Sequence, residues 1–267
     1  RCVIFCGISE DLELVLQIHN CIYEHYSKDE SFQLLKMGSP SGMVKEREAV
    51  AIVGIDLAWG EKNPDGVTIL EFENGLDREP SQLDTRLTSG DAALFEALAK
   101  SLTSPRVFVA IDAPTICRSE EGSRPVDKEC NRRFRQHEAG CHPVNRSLCQ
   151  RPFRIAEDFA SRGYSLTTDL SASHAVAEVY PHPATIRLFG LEKTIKYKRG
   201  PVAERRVEFS RYQDHLVQHL SREMPWLADS EPHCQLLTMP WKKDVEDQVD
   251  SILCAAIAYR HVKYTGE

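Results

Sequence analysis

Two short apolar runs, each closed by an aspartate, constrain this chain more than any other feature. Ala49-Val50-Ala51-Ile52-Val53-Gly54-Ile55 is continuous and rich in β-branched residues, and Asp56 ends it; Arg106-Val107-Phe108-Val109-Ala110-Ile111 leads to Asp112. A strand wet on one face alternates apolar and polar residues, whereas an unbroken run fits a strand covered on both faces. Helices must therefore lie on both sides of the sheet. Ala113-Pro114 stops the second run, because proline removes a ladder donor. Burying an ionised aspartate at a strand end is unfavourable unless a cation or donors meet it. For one such residue a turn or helix-cap role is the ordinary explanation. The pattern recurs, however, at Asp56 and Asp112, and Glu178 lies within a third apolar run, Ala175–Tyr180.

The remaining segments are consistent with that frame. Asp65-Gly66 marks a tight turn before Val67–Phe72, which predicts a hairpin with an antiparallel neighbour. A helix is predicted over 91–102 from the stripe Leu94, Phe95, Leu98 and Leu102. The stretch 117–150 is irregular and basic, with loops and a helix around Asp127–His137. Pro183 is placed to begin a helix running to Gly190, an amphipathic helix spans 202–223, and a last one runs from about Asp244 to Val262. On that last helix Val245, Val249, Ile252, Leu253, Ala256 and Ile257 form one apolar arc; Asp247 and Asp250, three apart, share a face, with Asp250 at the arc's margin. This order predicts an α/β fold: a mixed β-sheet flanked by helices, with a basic insertion between the fourth and fifth strands. Ligands in such sheets collect at the carboxyl ends of the strands.

A length of 267 residues suits one large domain, or one domain with an appendage. Residues 1–42, ending in the turn-rich Gly38-Ser39-Pro40-Ser41-Gly42, read as an N-terminal appendage or as sequence upstream of a start at Met43, with the domain at 43–267. No stretch approaches 18 uninterrupted apolar residues, and the N-terminus does not read as a secretory signal, so no membrane partner is expected. Nine cysteines without a CxxC pair fit reduced thiols, and a cytoplasmic location is expected. The net charge of −7 argues against a wholly basic nucleic-acid coat but leaves room for a basic groove beside an acidic centre.

Carboxylates drawn from several elements repel one another unless divalent ions neutralise them, and oxygen-only ligands suit Mg²⁺ or Mn²⁺. His142 and His182 are candidates for positioning water or moving a proton, against the ordinary reading of each as a loop hydrogen-bonder. Lys198 and Arg199, with Arg118, Arg132 and Arg133, are candidates for holding phosphate, against the reading of solvated surface charge. Trp59 and Tyr180 could stack on a base, although core packing is the expected role of both, as it is for Cys254. The spacing of Cys117, Cys130, Cys141, His142 and Cys149 matches no paired zinc-ligand pattern, and Gly54, Gly60 and Gly66 make no dinucleotide fingerprint.

GIDLAWG at 54–60, AIDAPT at 110–115, GCHPVN at 140–145, EVYPHPA at 178–184, YKRG at 197–200 and DVEDQVDSILCAAIA at 244–258 resemble the motifs of the domain of unknown function 429 family, from about Ala49 onward. The resemblance implies a ribonuclease H-like fold and a metal-dependent nuclease acting on DNA or RNA. It implies a metal site in which Asp56 is the first-strand acid, Asp112 the fourth-strand acid and Asp250 the helix acid, with Glu178 and Asp247 as additional ligands. Two other functions are weighed: phosphoryl transfer on the same superfold, and a noncatalytic module binding nucleic acid or protein. The first normally needs glycine-rich phosphate loops, which are not seen here.

Overall fold

A computed structural model describes residues 48–118 and 120–265; the 1–42 appendage expected from sequence lies outside the described residues. The architecture is mixed α/β. Strands β1 (Val50–Asp56), β2 (Asp65–Phe72) and β3 (Gln82–Thr88) form an antiparallel meander. Helix α1 (Asp91–Leu98) leads to β4 (Arg106–Ile111), parallel to β1. The long segment that follows holds α2 (Pro125–Phe134) and α3 (Gln150–Ser161). The chain then returns through a two-residue strand β5 (Ser165–Leu166) and β6 (His174–Glu178), which is parallel to both β4 and β5. Helices α4 (Pro181–Leu188), α5 (Val202–Glu223), α6 (Pro225–Ala228), α7 (Glu231–Leu236) and α8 (Lys243–Thr265) complete it. The sheet order is β3-β2-β1-β4-β6-β5.

Successive residues of β1 serve opposite faces, which explains why its run is apolar throughout. Ile52 joins Leu70, Phe108, Phe209 and Leu216 of α5, and Ile252 of α8; Val53 joins Val67, Val109, Leu94 and Phe95 of α1, and Phe159 of α3. Each such side chain, fully withdrawn from water, contributes about 1.5–3 kcal/mol.

Several expectations need adjustment. The 91–102 helix ends at Leu98 and gives way to a short 3₁₀ turn, Ser101–Thr103. Helix α4 starts at Pro181 rather than Pro183, and the strand before it stops at Glu178 rather than Tyr180. The insertion precedes the two-residue β5, so the strand expected as fifth is the sixth. Its arginines do not form one open basic face: Arg132 and Arg133 pair with Glu129, Arg146 with Glu120, and Arg154 with Asp91 and Glu61.

Candidate active site

The C-terminal ends of β1 and β4 lie side by side because the strands are parallel, with Ile55 opposite Ile111 in the register. Asp112 donates its backbone N–H to the Ile55 carbonyl at 2.9 Å, so Asp56 and Asp112 leave the sheet as neighbours. Helix α8 brings the other two aspartates. It crosses β1 and β2 at almost no distance: a Cβ on Gly54 would stand 2.3 Å from the Ser251 carbonyl oxygen and 2.2 Å from the Ala255 nitrogen, and one on Gly66 would stand 1.9 Å from the Asp247 oxygen. Only glycine fits at either position. Thr68 and Ser251 hydroxyls bond across the same seam at 2.8 Å. Gly54 and Gly66 therefore have a packing role, which sets Asp247 and Asp250 over the end of β1.

The site beside these strand ends is a cleft of about 640 Å³. Asp56, Asp112, Glu178 and Asp247 line it, together with His142, His182, Lys198 and Arg199. Asp250 sits beneath, 0% exposed. Its Oδ1 accepts a hydrogen bond from the Tyr197 hydroxyl at 2.8 Å. Its Oδ2 lies 2.8 Å from Lys198 Nζ, a charge contact without hydrogen-bond geometry, and receives no hydrogen bond. Lys198 Nζ also stands 3.9 Å from Asp56 Oδ1. Lys243 meets Asp247 Oδ1 at 2.5 Å and Glu246 at 3.0 Å, while Asp247 Oδ2 is buried with no donor.

The electrostatics show these groups feeling one another. Burial, then Asp250, Asp112 and Asp247, push the Asp56 carboxyl well above its ordinary range against the opposing pull of Lys198. Burial raises Asp112 to about 6, with Asp250 and Glu178 adding to the rise and Lys198 and Lys243 opposing it. Asp247 is raised by burial against the pull of Lys243. For Lys198 burial works against the charge, but Asp250, Asp56 and Asp112 outweigh it and hold the ammonium firmly protonated. His182 is driven down to about 4, first by burial and then by Lys198, so its ring is neutral near pH 7. It faces Thr194, with Nδ1 3.3 Å from Oγ1.

Glu178, by contrast, is fully engaged. Arg124 holds it with two parallel bonds, Nη1 to Oε2 at 2.8 Å and Nη2 to Oε1 at 2.6 Å, and the Thr115 amide donates to Oε2 at 3.2 Å. The same guanidinium binds Asp127 and the Tyr180 hydroxyl. Tyr180 is therefore buried, as expected, whereas Trp59 is 38% exposed at the cleft rather than packed in the core. Cys254 is buried, as expected.

Of the candidate phosphate-binding residues, Lys198 and Arg199 line the cleft and Arg118, Arg132 and Arg133 do not. Arg199 donates to His142 Nε2 at 2.9 Å, which makes that nitrogen the acceptor. Arg124 and Arg151 were not singled out in the sequence. Arg151, buried, grips Asp65 with two 2.7 Å bonds and Asp91 at 2.8 Å, tying the starts of β2 and α1 to α3.

An all-oxygen set with two undonated buried oxygens, Asp247 Oδ2 and Asp250 Oδ2, suits a hard divalent ion. With the side chains placed as they are, no three His, Cys, Asp or Glu among the described residues are gathered closely enough to enclose one. Lys198 occupies part of that space.

The family model described as "Protein of unknown function (DUF429)" matches residues 54–267. Comparison with curated proteins and with solved structures gave no match. None of the described helices is long and apolar enough to cross a membrane.

Proposed function

The chain belongs to the DUF429 family, and on that premise we propose that it is a metal-dependent nuclease with a ribonuclease H-like fold, hydrolysing nucleic-acid phosphodiesters. The observation that carries this reading is the excess of carboxylates at the carboxyl ends of the central strands β1 and β4: Asp56, Asp112, Asp247 and Asp250 influence one another there, with Lys198 and Lys243 as the cations drawn among them. An antiparallel meander continued by parallel strands, with acids at the ends of β1 and β4 and on a final helix, supports the fold assignment.

In this reading Asp56, Asp112, Asp247 and Asp250 hold Mg²⁺ or Mn²⁺. Such an ion, when bound, polarises the phosphate and activates the attacking water. Glu178 acts differently: its oxygens are committed to Arg124 and the Thr115 amide, so it fixes the insertion to the end of β6. Arg199, at the cleft beside His142, is the phosphate-binding side chain, since a guanidinium offers paired donors to a phosphate. Neutral His182 is able to accept a proton from water or to orient it. Trp59 offers an exposed aromatic face on which a base can stack. Among the described residues Cys130, Cys141, Cys149, Cys234 and Cys254 are thiols, which supports a reducing, cytoplasmic setting.

The test is cleavage of single-stranded, duplex, hybrid and branched nucleic acids by the full chain with Mg²⁺ or Mn²⁺, run beside Asp56→Asn and Asp250→Asn. Cleavage by the parent and none by the variants is the expected result. A folded parent that cleaves nothing on the panel would overturn the assignment.

A further inference from the structure

The acid cluster already contains a cation. Lys198 Nζ sits between an aspartate of α8 and one of β1, 2.8 Å from Asp250 Oδ2 and 3.9 Å from Asp56 Oδ1. Asp250 Oδ1 is committed to the Tyr197 hydroxyl. Oδ2 is thus the oxygen of Asp250 that receives no hydrogen bond, and the ammonium rests against it. A hard divalent ion approaches its oxygens to about 2.0–2.1 Å and repels a neighbouring ammonium, so the two compete for that oxygen.

We infer that Lys198 is a built-in counter-ion that a divalent ion must displace, and that the displaced ammonium swings into the cleft to meet the substrate phosphate. This rests on the metal-site reading above and adds an order of events to it. The side chain is suited to the move. It is 27% exposed and lines the cleft, so a way out is open, and its charge is a point on a flexible four-carbon stem. Arg124, a planar fork held by Asp127, Glu178, Tyr180 and the Ile116 carbonyl, has no such freedom. Tyr197, the preceding residue, is stacked on Tyr212 at 4.4 Å and 2° and anchors the backbone from which Lys198 reaches. Without metal the ammonium lowers the repulsion among the aspartates; with metal it becomes surplus positive charge next to an incoming anion.

The decisive experiment has two arms on the full chain. In the first, wild-type protein is pulsed with acetic anhydride with and without Mn²⁺, and acetylation of each lysine is read by peptide mass spectrometry. Lys198 should be protected without metal and labelled several-fold faster with it, while Lys100, far along the sheet, is unchanged. In the second, Mn²⁺ binding to wild type and Lys198→Met is measured by calorimetry. Removing the competitor should tighten binding about tenfold, equivalent to about 1.4 kcal/mol, while nucleic-acid cleavage falls. Equal or weaker Mn²⁺ binding by the variant, or unchanged Lys198 labelling, overturns the displacement and leaves the metal site standing. Absence of Mn²⁺ binding by both proteins overturns both readings. Should the variant fail to fold, the wild-type labelling decides.

Discussion

Glu178 and Asp250 are both withdrawn from water at the same end of the sheet, yet their surroundings follow different rules. Glu178 has a guanidinium on both oxygens and an amide besides, in a cluster where Arg124, Asp127 and Tyr180 satisfy one another. Asp250 has one tyrosine hydroxyl and one loosely aimed ammonium, among three further aspartates. A cluster that only holds the fold together tends toward full hydrogen-bond satisfaction, because each buried polar group left without a partner costs stability. A cluster that remains acidic and underdonated is stabilised instead by something it binds. The first is a clamp and the second a socket.

The largest expected effect tests the clamp. Arg124→Met strands Asp127 and Glu178 without their cation and should cost about 3–5 kcal/mol in urea unfolding; a loss below about 1 kcal/mol would mean that Arg124 does not hold the cluster together. Acid titration probes a group outside both clusters. His219, buried, has its pKa driven down to about 4 by burial. It stays neutral in the fold while the unfolded chain takes up a proton near the ordinary 6.5, so its contribution is intact above that pH and is lost as pH falls toward 4. That loss amounts to at most about 3 kcal/mol, and comparing wild type with His219→Gln across the window isolates it.

Gly54→Ala should cost about 1–3 kcal/mol by forcing α8 away from β1, and it should abolish Mn²⁺ binding even in the fraction that folds. Retained binding would break the link between helix approach and socket. Asp112→Asn should act in the opposite sense. Because this carboxyl is raised to about 6, it ionises less readily in the fold than in the unfolded chain and so detracts from stability at pH 7, and the amide should gain about 1 kcal/mol in the metal-free protein while cleavage disappears. A destabilised variant would place Asp112 with the clamp. The smallest effect belongs to Arg132, whose pair with Glu129 is solvent-exposed: Arg132→Ala should leave both melting temperature and cleavage unchanged, and reduced substrate affinity would return it to the phosphate-binding set.

The strands bearing Asp56 and Asp112 were legible because burial on both faces leaves a continuous apolar run, and α5 and α8 because their apolar stripes repeat with the helical period. Strand β3 was not. It is an edge strand in which Asp84 and Arg86 pair with each other, so Gln82–Thr88 shows only Leu83 and Leu87 as apolar signals. Helix α3 was hidden by the basic character of its neighbourhood. Four of the acids were legible as strand-end or same-face residues, but what separates Glu178 from them was not. Its partner Arg124 lies 54 positions away in a run of arginines, and nothing local distinguishes that arginine from Arg132 or Arg133. Arg151, 86 positions from Asp65, was illegible for the same reason. Periodicity reports the face a residue presents, whereas charge pairing is settled by the tertiary fold.

The seam at Gly54 and Gly66 also bears on when the socket comes into being. Thr68 and Ser251, bonded across it, are 183 positions apart, and half of the aspartates arrive on α8. As the chain is synthesised from its N-terminus, the strands bearing Asp56 and Asp112 leave the ribosome well before the helix carrying Asp247 and Asp250. A nascent chain at that stage has two acids and no Lys243 beside them. The full acid set, and whatever chemistry it supports, exists only once α8 has docked on β1 and β2.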